Sequence, residues 1–185
     1  MAVHVLNFVV HAIDALNEWV GRAVSWLLVL MVLNVFLVVV LRYTMNFGAI
    51  WMQESYVWSH AVVFMLGAGY TLLHDGHVRI DLIYRTASGL YKAIVDLLGC
   101  ALFAAPVLYL VFDRSLPMVE RSWGLYEKSA EAGGLPGLFL LKSVILVFAV
   151  LFALQFVALF LRSLETLLGI KKPPEFHDPE DGRVP

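Results

Sequence analysis

Arg42-Tyr43-Thr44-Met45-Asn46-Phe47, then Trp51-Met52-Gln53-Glu54, then an apolar run through Leu73, and finally His74-Asp75-Gly76-His77-Val78-Arg79-Ile80-Asp81 follow one another along the chain. Charged and aromatic groups bracket a hydrophobic segment about as long as a bilayer is thick, the pattern of a membrane span held by anchors at both interfaces.

Composition says the same of the whole chain. Its 185 residues are 61% hydrophobic and 15% charged, with a mean hydropathy of +0.80. One soluble domain of that length cannot hide so much apolar surface, so lipid must cover part of it. A net charge of -2 supplies no basic field for nucleic acid. Cys100 is the only cysteine and lies in an apolar run. That rules out a disulfide framework and a thiolate metal cluster and makes it a small packing residue.

Outward from the quoted stretch, four apolar runs give spans over about 23–42, 52–73, 94–113 and 138–162. The first is interrupted only by Ser25 and Asn34, and Ala23 to Leu41 covers roughly 28 Å, close to the hydrocarbon thickness. The third contains Pro106, and the fourth carries Lys142 and Gln155. Backbone exposed to lipid must bond to itself, and no alternating ten-residue pattern of a barrel is present, so the spans are helices. The expected fold is an all-α integral membrane protein with four transmembrane helices, an N-terminal amphipathic interfacial helix and a surface helix before the third span.

The flanking segments divide the chain into 1–21, 22–168 and 169–185. In the first, Val5, Val9, Ala12, Ile13, Leu16 and Val20 oppose His4, Asn7, His11, Asp14 and Glu18 on a 3.6-residue wheel. The helix they form either lies in the membrane interface or packs on the protein's own bundle. Ile80, Ile83, Ala87, Leu90, Tyr91 and Ile94 form a second stripe, a surface helix leading into the third span, although Thr86 or Ser88 could cap a fresh helix start. Arg114 to Gly137 reads as the largest outer connection, and the tail from Lys171 as a disordered, polar, Pro-rich segment. Counting Lys and Arg near the span ends gives eight against five for both termini in the cytoplasm.

No phosphate loop, nucleophile elbow, zinc-type pair or tandem intramembrane carboxylate is found, so the chain does not read as an enzyme and asks for no cofactor. Polar residues at membrane depth still need partners. Arg42 and Glu54 flank one short connection and are expected to pair, locking the first hairpin. His60 is either a histidine hydrogen-bonded inside the bundle or part of a proton relay. Asn34 and Gln155 read as interhelical donors, and Gly67 and Gly69 as close-approach points. His77, Arg79 and Asp81 sit where the second helix leaves the membrane and form either a solvated cluster or a contact to a partner subunit or lipid. Trp123, Tyr126 and Glu127 in the outer connection are either ordinary loop anchors or a docking patch.

Leu41-Arg42-Tyr43, Asn46-Phe47, Trp51-x-x-Glu54, Gly67-Ala68 and His77-Val78-Arg79-Ile80-Asp81 together resemble the small, DctQ-like membrane subunit of tripartite ATP-independent periplasmic (TRAP) transporters. The segment from Ser122-Trp123 to Pro136-Gly137 is similar to a branch associated with 2-oxo acids, mannitol or chloroaromatic acids. The resemblance implies a sodium-coupled importer of organic acids in a bacterial inner membrane. There a periplasmic binding protein delivers substrate to a large multi-span subunit, which the small subunit braces. It gives Arg42, Trp51, Glu54, His77, Arg79 and Asp81 structural or interface roles. The other classes in view are a haem-carrying anchor of a respiratory complex, for which His60 would be the ligand at membrane depth, and a stand-alone channel or proton carrier.

Overall fold

A computed structural model describes residues 2–77 and 87–170. Within it the chain forms α1 (Ala2–Met45), α2 (Ile50–Leu73), α3 (Gly89–Gly99), a π turn (Cys100–Ala104), α4 (Ala105–Gly124) and α5 (Leu138–Leu167). Among the described residues, four helices are long and apolar enough to cross a membrane: α1, α2, the continuous run from α3 through α4, and α5. The all-α membrane fold expected from composition is the fold observed.

The partition of side chains is inverted relative to a protein folded in water. Its most deeply buried large side chains are Gln155, Glu165, Asn17 and Ser122, all polar, whereas Trp26 and Phe64 are each 74% exposed. An apolar exterior is stable only in lipid or against another apolar surface, and polar groups turned inward are what hold helices together there.

α5 is the spine. It packs against α1, α2 and the third span, while α1 and α2 also pair with each other as a hairpin. Small residues let the backbones approach, with Ala149 and Ala158 almost fully buried along α5. Val10 and Ile13 of α1 close on Ala158, flanked by Leu154 and Leu161.

The N-terminal segment is not a helix of its own. α1 runs unbroken for 44 residues, about 66 Å at 1.5 Å per residue, and its first half packs on the bundle. The inward stripe also differs from the one expected: Val10, Ile13, Asn17, Gly21 and Val24 are buried, while Val9 and Leu16 are exposed. The reason is polar pairing. Asn17 Nδ2 donates to Gln155 Oε1 at 2.9 Å, Gln155 Nε2 to Asp14 Oδ1 at 3.1 Å, and the Arg162 guanidinium bonds the other Asp14 oxygen. A wheel that counts only apolar residues points such a helix the wrong way.

The third span is longer than expected at both ends. Ser88 caps it, its hydroxyl accepting from the Tyr91 N–H at 3.3 Å, so residues from Gly89 onward belong to the span instead of to a separate surface helix. The earlier part of that expected helix, 78–86, lies outside the described residues. Pro106 has no N–H to give, and its ring presses on the carbonyl four residues back. The turn before it widens, and the Ala105 N–H reaches the Cys100 carbonyl five residues back. Cys100 is buried in that turn, in keeping with a packing role. Arg114 to Gly124 is helical, which shortens the connection to α5 to Leu125–Gly137.

Candidate functional site

The end of the molecule that carries the α1–α2 turn and the α4–α5 connection gathers most of the residues singled out in the sequence. α4 closes with Tyr126 in the left-handed region (φ 45°) and the Glu127 N–H bonded to the Ser122 carbonyl at 3.1 Å, the 6→1 bond of a Schellman end. That turn folds Glu127 back over its own helix. Its carboxylate accepts from the Ser122 hydroxyl at 2.5 Å and bonds the Lys142 ammonium from α5. The Lys142 bond, followed by that from Ser122, holds the Glu127 carboxyl below the usual carboxylate range.

Trp123 and Tyr126 close over α5. The Trp123 indole donates to Ser143 Oγ at 2.8 Å, and both rings meet Phe139 edge-on, with centroids 4.6 and 5.9 Å away. Tyr126 still leaves 69% of its surface open and Trp123 44%. The pair therefore anchors the connection and presents a face, and the two readings offered for the aromatics are compatible.

Glu54 sits at the centre. Projecting from the first turns of α2, it accepts from the Leu135 N–H at 2.5 Å and from the Ser129 hydroxyl. Ser129 N–H in turn reaches the Leu135 carbonyl at 3.2 Å, and Lys128 bridges to Pro136 across the neck. A side chain at Gly134 would press on Ser129 Oγ and Glu54 Oε2, 2.5 and 2.7 Å from its Cβ, so glycine here leaves room for the bond between them. One acid thus clasps the whole 129–135 loop.

The expected Arg42–Glu54 pair is not formed. Arg42 is exposed at the end of α1 and has no ion pair among the described residues, because the carboxylate meant for it is taken by the loop. Trp51 is 51% exposed one turn before Glu54. His77 lies at the opposite end, its ring stacked on Phe152 of α5 at 5.8 Å, while Arg79 and Asp81 are outside the described residues. His60 is exposed on α2, not enclosed in the bundle. Asn34 Nδ2 donates to Ser55 Oγ at 2.6 Å, so Asn34 and Gln155 both join helices. Gly69 is a close-approach point beneath Asn17, whereas Gly67 faces open space.

Sequence reasoning missed Ser129, Ser143, Asp14 and Arg162. Lys142 carried the one usable signal, since a lysine inside an apolar run demands a carboxylate and Glu127 was within reach. A serine in a polar loop carries no such mark.

If the Glu127–Lys142 bond fastens the connection, stability should follow the titration of Glu127. The folded carboxyl has a lower pKa than the unfolded one, so its contribution is complete above the ordinary value of about 4.3 and disappears as pH falls through the depressed value. The unfolding midpoint in detergent should therefore exceed that of Glu127→Gln at pH 7, and the difference should close as pH falls below the ordinary carboxylate range and through the depressed value.

Taken together, these features define a multi-pass helical membrane subunit whose polar groups tie helix to helix and helix to loop. The chain belongs to the DctQ family: the model of the DctQ component of tripartite ATP-independent periplasmic transporters matches residues 31–166, a span that includes the Glu54 clasp and the Glu127–Lys142 pair. No curated protein and no solved structure matches it. It is accordingly a small membrane component of a TRAP transporter, lodged in the inner membrane, and its family is one of transporter components, not of enzymes.

Proposed function

We propose that this chain is the bracing subunit of a sodium-coupled importer of organic acids, holding the large membrane subunit in the lipid and offering its α4–α5 connection to the periplasmic binding protein. The observation that carries the reading is the use to which embedded polar groups are put. Asp14, Asn17, Gln155 and Arg162 bond to one another at the junction of α1 and α5, and Asn34 bonds Ser55 between α1 and α2. Groups spent on helix contacts hold shape, whereas a transport path keeps such groups turned toward a cavity at a helix break. A groove of about 560 Å³ between the third span and α5 is lined by residues such as Ala101, Leu108, Phe112, Ala153 and Val157, a lining suited to an acyl chain or an apolar side chain.

With both termini cytoplasmic, as the Lys and Arg distribution favours, the Glu54 clasp and the exposed faces of Trp123 and Tyr126 lie on the periplasmic side, where a soluble binding protein arrives. Reconstituted in vesicles, this chain alone should move no organic acid. Uptake should require the large subunit, this chain, the binding protein and a sodium gradient together. Uptake by this chain alone would end the proposal. Within the full assembly, Trp123→Ala or Tyr126→Ala should reduce stimulation by the binding protein several-fold, in line with loss of an exposed aromatic contact, and full stimulation in both variants would remove the docking role.

A further inference from the structure

α2 is the anomalous span. Its most apolar window has a hydropathy of 1.3, against 2.9 for α1, 2.2 for the third span and 3.0 for α5, yet only 6% of that window is buried, no more than in α1. A helix surrounded by lipid is expected to be apolar all round, and one that is less apolar is expected to hide its polar side. Most of its polar side chains do so: Gln53, Glu54, Ser55 and Ser59 are half-buried, and His60 stands out among the exposed residues of the helix, which are otherwise Ile50, Trp51, Val57 and Phe64.

The outward face of α2 runs through the exposed Val57, His60 and Phe64 at steps of three and four residues, opposite the buried Gly69. His60 is near the middle of the helix. It is exposed, and among the described residues its one ring contact is Phe64, nearly parallel at 6.3 Å. No hydrogen bond joins it to the described residues. A neutral imidazole carries one donor and one acceptor, and hydrocarbon can satisfy neither, so an imidazole facing lipid tails is strongly disfavoured. One turn beyond Phe64, a Cβ placed on Gly67 would meet nothing within 4 Å, which leaves an open notch beside the ring.

We propose that this face of α2 is the seat of a transmembrane helix of the large membrane subunit, which sets a hydrogen-bonding group against His60 and a bulky apolar side chain into the notch at Gly67. The inference rests on the bracing role above and adds which surface performs it. It follows from complementarity: the imidazole demands a polar partner at mid-membrane depth, which a polypeptide can supply and an acyl chain cannot.

The test uses membranes containing this chain, the large subunit and the binding protein. A photo-crosslinking phenylalanine is placed at Phe64, and for comparison at Phe103, which is 72% exposed on the third span. Adducts with the large subunit should arise chiefly from position 64. In parallel, His60→Leu should lower recovery of the large subunit with this chain by about three- to ten-fold, the loss of one interhelical hydrogen bond. The same substitution should leave the unfolding midpoint of the isolated chain unchanged or higher, since leucine suits a face left to detergent. Adducts from position 64 only with lipid or with a second copy of this chain would overturn the assignment, as would undiminished recovery with His60→Leu. Recovery of the large subunit with adducts arising from position 103 instead would sink the face and leave the bracing role standing. Failure of the two chains to copurify at all would sink the bracing role itself.

Discussion

Replacing Glu54 by alanine is expected to free the 129–135 loop and produce the largest local change of any substitution at that end of the molecule. Hydrogen bonds to charged groups contribute about 1.5–3 kcal/mol each, and partial exposure of Glu54 screens them, so about 2 kcal/mol for the pair is a fair expectation. That corresponds to roughly 30-fold faster exchange of the Leu135 amide, whose donor bond goes to this carboxylate. Glu54→Gln should fall between the two, because the amide oxygen can still accept from Leu135 while its NH2 faces Ser129, whose hydroxyl can turn to accept. In the assembled transporter the alanine variant should lose stimulation by the binding protein while this chain and the large subunit still copurify, since the clasp orders a loop and makes no contact on the outward face of α2. Unchanged exchange at Leu135 in Glu54→Ala would show that the neck bridge between Lys128 and Pro136, and not the acid, orders the loop.

The sequence announced Glu54 without announcing its partner. A carboxylate at the start of a membrane helix had to be neutralised or solvated, and Arg42 was the nearest cation along the chain. The actual donors are 75 and 81 residues away, a serine hydroxyl and a backbone amide whose availability depends on how one loop turns. Such pairings have no signature in spacing or periodicity. The spans were legible because hydrophobic length is a local property that the bilayer selects directly. The orientation of α1 was not, because Asp14 and Asn17 face inward to meet Arg162 and Gln155, and polar residues that satisfy each other inside a membrane protein look like surface residues on a wheel. The third span shows the same limit from another side. The apolar run gave a span of only about 94–113 with Pro106 inside it, yet the chain absorbs the proline by widening a single turn, and the helical run continues from Gly89 to Gly124.

Gly69→Ala is the second substitution with a large expected effect, and here two contributions oppose each other. Exchanging glycine for alanine inside a helix ordinarily stabilises by up to about 1 kcal/mol. At Gly69, however, the added methyl would overlap the Asn17 side-chain oxygen, and Asn17 is fully buried and tethered to Ile13 and Gln155. It cannot swing away without breaking the bond that joins α1 to α5. Overpacking at about 1–3 kcal/mol, together with a lost buried hydrogen bond of about 1–3 kcal/mol, outweighs the propensity gain. The net expectation is a loss of about 2–4 kcal/mol, or roughly 5–15 °C in the unfolding midpoint in detergent. Gly67→Ala, two residues away and facing open space, should be neutral or slightly stabilising in the isolated chain. Asn17→Ala removes the obstacle, so the Asn17→Ala/Gly69→Ala double variant should be more stable than the sum of the single losses implies, a coupling of 1 kcal/mol or so that only residues in contact can show. Additive losses, or a midpoint for Gly69→Ala equal to that of Gly67→Ala, would mean that α2 does not press on Asn17. The polar junction at the base of α1 would then owe its order to the Asp14–Arg162 pair instead of to the fit of three helices around one side chain.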